Sequence, residues 1–123
     1  MRYLGVDYGE RRIGLALSDP EGRLAFPHSS VPDLEGVRSV ITRQGVGAVV
    51  IGVPVPLGGG ESAQGRAVRA FADRLRRAVQ LPVALENEVF TTKIAEARSA
   101  PERADAAAAA LILQSYLDRL AKN

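Results

Sequence analysis

The chain has 123 residues, 46% hydrophobic and 24% charged; these values fit a single globular domain over residues 1–123 and exclude intrinsic disorder and collagen-like structure. The absence of cysteine and a lone histidine, His28, exclude a disulfide scaffold, a cysteine zinc site, a thiol nucleophile, an iron–sulfur cluster and any multi-histidine metal centre. The net charge is only +2, but residues 66–98 hold seven basic and four acidic groups, and 14 of the 16 basic residues are arginine, which suits planar phosphate contacts.

Residues 3–7 (YLGVD) are a short apolar run ending at an acid. Residues 12–18 alternate, with Ile13, Leu15 and Leu17 on one face. Asp19-Pro20-Glu21-Gly22 carries the signature of a type I turn. Residues 23–28 follow as a third strand, with Pro27 pointing to an edge or an end. The three runs predict an antiparallel meander.

The pattern then changes to helical spacing. Asp33 can cap a helix over 34–44, where Leu34, Val37 and Ile41 recur, and Gly45 can end it. Residues 48–53 (AVVIGV) predict a strand buried on both faces, and 54–64 a loop. A helix over 65–79 places Val68, Phe71, Ala72, Leu75 and Val79 on one side and Arg66, Arg69, Arg76 and Arg77 on the other. Residues 82–86 predict a fifth strand and 92–98 a short helix capped by Thr91 and Thr92. Ser99 and Glu102 fit a capping box for a last helix running to about Leu120. Antiparallel strands followed by βαβ crossovers predict an α/β fold, a five-stranded mixed sheet with helices on both faces.

In such a sheet ligands collect at the carboxyl ends of the parallel strands. Asp7 ends the first strand, and Glu88 lies just past the fifth, with Glu86 pointing to the same side as a rival. The last helix has an apolar stripe through Ala109, Ile112, Leu113, Tyr116 and Leu120, and four residues before Ala109 stands Asp105. A carboxylate on a packing face needs a partner, a metal or a proton. Three carboxylates brought together repel one another, and hard divalent ions, Mg²⁺ or Mn²⁺, relieve that repulsion. Two such ions suit phosphodiester cleavage.

The opening VDYGERRIGLALSD, with Asp7, Gly9, Arg11 or Arg12, Gly14, Ala16 and Ser18-Asp19, resembles the start of the YqgF (RuvX) family, a branch of the RNase H-like nucleases akin to Holliday junction resolvases. VVIGVP (49–54), ENEVFTT (86–92) and ADAAAAALILQSYL (104–117) resemble further blocks of that family in order and spacing. The resemblance implies an RNase H-like fold, Asp7, Glu88 and Asp105 as metal-binding catalytic acids, and a nuclease that matures the 5′ end of pre-16S ribosomal RNA. Asn87 and Val89 stand where the family usually has Asp and Arg, and the segment before Asp105 is shorter and less basic.

Arg11 and Arg12 follow Asp7 closely enough to contact substrate phosphates, and Arg66 and Arg69 can hold a nucleic-acid backbone. Expected partners are therefore pre-rRNA or structured DNA. No apolar run is long enough for a membrane span, and charges at Arg2 and Asp7 argue against a signal peptide, so a cytoplasmic monomer or homodimer is expected. Two rival readings remain: a resolvase of four-way DNA junctions, and a non-catalytic nucleic-acid-binding factor of ribosome assembly. An actin-like ATPase would need a second lobe to enclose its nucleotide.

Overall fold

The computed structural model describes residues 1–56, 58–88 and 101–122. The short helix expected at 92–98, its Thr91 and Thr92 caps, Val89 and the Ser99 half of the capping box lie outside the described residues.

The strands are β1 (Tyr3–Tyr8), β2 (Ile13–Ser18), β3 (Ala25–Val31), β4 (Ala48–Pro54) and β5 (Val83–Glu88), and the described helices are α1 (Leu34–Gln44), α2 (Ala63–Val79) and α3 (Pro101–Ala121). They form one mixed sheet in the order β3-β2-β1-β4-β5. β1, β2 and β3 pair antiparallel, and β4 runs parallel to both β1 and β5.

Strand alternation sorts the side chains onto two faces. Leu4 and Val6 of β1, Ile13 and Leu15 of β2 and Val49 and Ile51 of β4 pack with Val37 and Val40 of α1 and Val68, Phe71 and Leu75 of α2. On the other face Ala16 and Val50 pack with Ala109, Ile112, Leu113 and Leu117 of α3. The predicted architecture, a five-stranded mixed sheet with helices on both faces, is the observed one.

α1 has the predicted caps: the Asp33 side chain accepts from Gly36 N at 3.0 Å, and Gly45 closes the helix at φ 64°. In the predicted turn, Gly22 N donates to Asp19 O at 3.0 Å. Several details differ from expectation. β3 begins at Ala25 because Arg23 and Leu24 are used to close the turn: both backbone N–H groups donate to the Asp19 carboxylate, at 2.7 and 3.4 Å. It shifts register at Pro27, opposite Ala16, as a proline on an edge strand does. α2 begins two residues early because Ser62 caps it, its Oγ accepting from Gly65 N at 3.0 Å. β5 reaches Glu88, so that residue ends the strand rather than following it. The stripe of α3 turns through Leu117, leaving Tyr116 half-buried and Leu120 exposed.

Among the described residues no helix is long and apolar enough to cross a membrane.

Candidate active site

The face under α3 carries the acids. Gly5 of β1 lies beneath Ala109 and Leu113, so Asp7, two residues on, points to the same side. Asp7 pairs directly with Gly14 of β2. A Cβ on Gly14 would stand 2.1 Å from the Asp105 carbonyl oxygen and 2.8 Å from the Asp105 Cβ. Asp105 therefore rests on the sheet one strand away from Asp7.

The arrangement repeats on the other flank. Val6 pairs with Ile51, which places Gly52 level with Asp7 on β4. A Cβ on Gly52 would lie 3.4 Å from Glu88 Oε2. Asp7 thus sits between a glycine covered by Asp105 and a glycine approached by Glu88. All three acids are at the carboxyl end of β1, β4 and β5, where the topology predicts a ligand. Asp7 is 8% and Asp105 5% exposed, and Glu88 is half-buried.

Glu86 shares the face but not the end. Ser115 Oγ donates to its Oε2 at 3.0 Å, and Arg119 forms an ion pair with its Oε1. The Arg119 guanidinium also lies over the Tyr116 ring, 5.5 Å from its centroid. This separates the two glutamates that sequence leaves in competition. Ser115 and Arg119 are one helical turn apart on α3, a spacing that could have marked them as a clamp for a buried acid.

Arg12 reaches Asp105 from the residue just before β2. Its Nε donates to Asp105 Oδ2 at 2.6 Å. That hydrogen bond, and then the Asp105 charge, hold the guanidinium above its ordinary value. The sequence places Arg12 with the substrate's phosphates and gives no sign of this pairing across 93 residues. Arg11 is exposed beside it.

Arg66 and Arg69 lie on α2, on the opposite face of the sheet, and both are exposed. The start of α2 is nevertheless at the acids' end, since Gln64 Nε2 donates to Tyr8 O at 3.0 Å and the Tyr8 ring stacks on Phe71 at 4.5 Å. Arg69 is ion-paired to Glu61 at 2.5 Å. Sequence reading passes over Ser30, which pairs with Gly14 in the same cross-sheet row; its Oγ is buried and has no hydrogen-bond partner among the described residues.

Among the described residues no group of three or more acidic or histidine side chains is gathered so that it could hold a metal ion as it stands. The donor types fit a hard divalent cation, because they are carboxylate oxygens at one end of one face of the sheet.

The class of protein that this architecture defines is RNase H-like. Its fold is similar to that of Thermus thermophilus RuvC solved in complex with Holliday junction substrate, with TM-score 0.60 at 18% identity, covering 98% of this chain and 96% of that one. The family described as "RuvX: Holliday junction resolvase" matches residues 1–119. Two curated relatives carry the name "Putative pre-16S rRNA nuclease". That of Anaeromyxobacter sp. is 44% identical, covering 96% of this chain and 97% of the relative. That of Moorella thermoacetica is 38% identical, covering 100% and 99%. The chain belongs to the RuvX (YqgF) family.

Proposed function

We propose that this protein is a divalent-metal-dependent nuclease that hydrolyses phosphodiester bonds, with Asp7, Glu88 and Asp105 as its catalytic acids and as ligands of Mg²⁺ or Mn²⁺. The observation that carries this reading is the cross-sheet row in which Asp7 stands between Gly14, under Asp105, and Gly52, beside Glu88.

Bound there, such ions would activate a water and stabilise the leaving oxygen of a phosphodiester. The chain's own part is to fix charge and direction. Asp7 is held in the β1–β2 ladder opposite Gly14, one residue past the last β1–β4 pair. Asp105 is held by the backbone of α3, which the missing side chain of Gly14 lets down onto the strands. Glu88, at the end of an edge strand, is the acid nearest the rim. Arg11 and Arg12 are the donors on hand for phosphate oxygens, and Arg66 and Arg69 extend a basic track around the same end of the sheet.

The relatives' names favour pre-16S rRNA as substrate; action at its 5′ end, in the cytoplasm, is the finer part of this proposal. A second reading, the four-way DNA junction, is favoured by the family description and by the substrate bound to the similar RuvC. Symmetric junction cleavage needs two sites and hence a dimer. End-labelled precursor RNA and a labelled junction, each incubated with Mg²⁺, Mn²⁺ or chelator, separate the two. Metal-dependent cuts in the RNA alone are expected. Paired symmetric cuts in the junction, with the RNA intact, would transfer the assignment to the resolvase. Binding of either nucleic acid without any cleavage would favour the assembly factor.

A further inference from the structure

The Asp105 carboxyl group lies almost buried, on a helix packed directly against the sheet. Its side chain is 7% exposed, and its backbone carbonyl lies 2.1 Å from where a Gly14 Cβ would stand. A carboxylate in such a place needs a compensating positive charge. Arg12 supplies one through the 2.6 Å bond to Oδ2.

The two partners are unequal. Asp105 is buried against the sheet, whereas the Arg12 side chain is 38% exposed and sits in the connection just before β2, with a long stem that can turn outward. Arg12 cannot discharge by losing its proton. A divalent cation bound through the same Asp105 oxygen would face a fixed positive charge at hydrogen-bond distance, a strongly repulsive arrangement. The guanidinium and the cation are therefore alternative partners for Asp105 Oδ2.

We propose that Arg12 is a built-in counter-cation that positions Asp105 in the unloaded protein and competes with the catalytic cation for it. This rests on the metal-dependent reading of the site. In the unloaded state Arg12 neutralises Asp105. In the loaded state the cation takes Asp105, and Arg12 swings out to a phosphate of the nucleic acid. A phosphate that engages Arg12 thereby frees Asp105, so nucleic acid raises the affinity for metal, and metal raises the affinity for nucleic acid by the same factor. The site loads fully only when both are present.

The test measures Mn²⁺ binding by calorimetry for the wild type, R12Q, R12K and D7N, with and without a short 2′-O-methyl phosphorothioate RNA that resists cleavage. R12Q is expected to bind Mn²⁺ about fivefold or more tightly than the wild type. R12K, which keeps the charge, is expected to stay near the wild type. The RNA should tighten Mn²⁺ binding to the wild type and leave R12Q unchanged. In the wild type, the Arg12 Nε–H signal in ¹⁵N NMR should move when Mg²⁺ is added, a readout that needs no variant to fold. If the wild type binds Mn²⁺ and D7N does not, while R12Q binds no more tightly and the Nε–H signal stays still, the counter-cation role is overturned and the nuclease reading stands. If neither the wild type nor R12Q binds Mn²⁺, with or without RNA, both are overturned.

Discussion

The carbonyl oxygen of Asp105 lies 2.1 Å from the point where a Cβ on Gly14 would stand. One acid of the candidate site thus owes its place to the absence of a side chain on the neighbouring strand. Gly14→Ala has no room, because its obstacle is helix backbone rather than a flexible side-chain tip. The variant is expected to lose about 3 kcal/mol or more, at or above the upper end of ordinary overpacking. Urea unfolding of the two proteins measures it, and an unchanged midpoint would mean that α3 is not seated on Gly14.

The two glutamates of β5 should separate by function. Glu88→Gln is expected to lower cleavage about 100-fold or more, the scale of removing one well-placed electrostatic group. Glu86→Gln keeps the Ser115 contact and loses the ion pair with Arg119, whose side chain is 60% exposed. Solvent screens that pair, so the expected cost is about 1 kcal/mol of stability, with cleavage largely retained. Parallel cleavage assays and melting curves decide this, and the assignment fails if Glu86→Gln is the inactive one.

Asp19 gives the protein an acid-side dependence remote from the acids at the carboxyl ends of the strands. The backbone N–H of Arg23 donates to its carboxylate, with Leu24 and Gly22 contributing further, and these bonds hold its pKa below the ordinary value. A depressed carboxylate contributes stability that is complete above its unfolded pKa, about 4, and is lost as pH falls through the folded value. The urea midpoint of the wild type should therefore exceed that of Asp19→Asn at pH 6, and the gap should close below about pH 4. A gap that persists unchanged at pH 2.5 would show that the carboxylate's charge is not what closes the turn.

Much of this was legible from residues alone because it was written in local rules. Asp33 and Gly45 mark both ends of α1 by cap chemistry. The alternation of Ile13, Leu15 and Leu17 sets the faces of β2, and counting back by turns from Ala109 puts Asp105 on the packing face. What escaped was set by contacts between distant segments. The pairing of Arg12 with Asp105 spans 93 residues, and that of Arg119 with Glu86 spans 33. Spacing on one element cannot reveal either. The late start of β3 escaped for a different reason: Arg23 and Leu24 read as strand, but the Asp19 side chain claims their N–H groups first.

Asp7 is the centre of the account, since Gly14, under Asp105, and Gly52, near Glu88, flank it on either side. Asp7→Asn preserves the shape and removes the charge, so the fold should persist while cleavage falls. The most direct measurement is the rate of cutting an end-labelled pre-16S rRNA fragment by the wild type and Asp7→Asn, in Mg²⁺, in Mn²⁺ and in chelator. The account predicts cleavage by the wild type only with metal, and a loss of about 100- to 1,000-fold in the variant with an unchanged melting temperature. Wild-type rates in Asp7→Asn, or cleavage that persists in chelator, would contradict it.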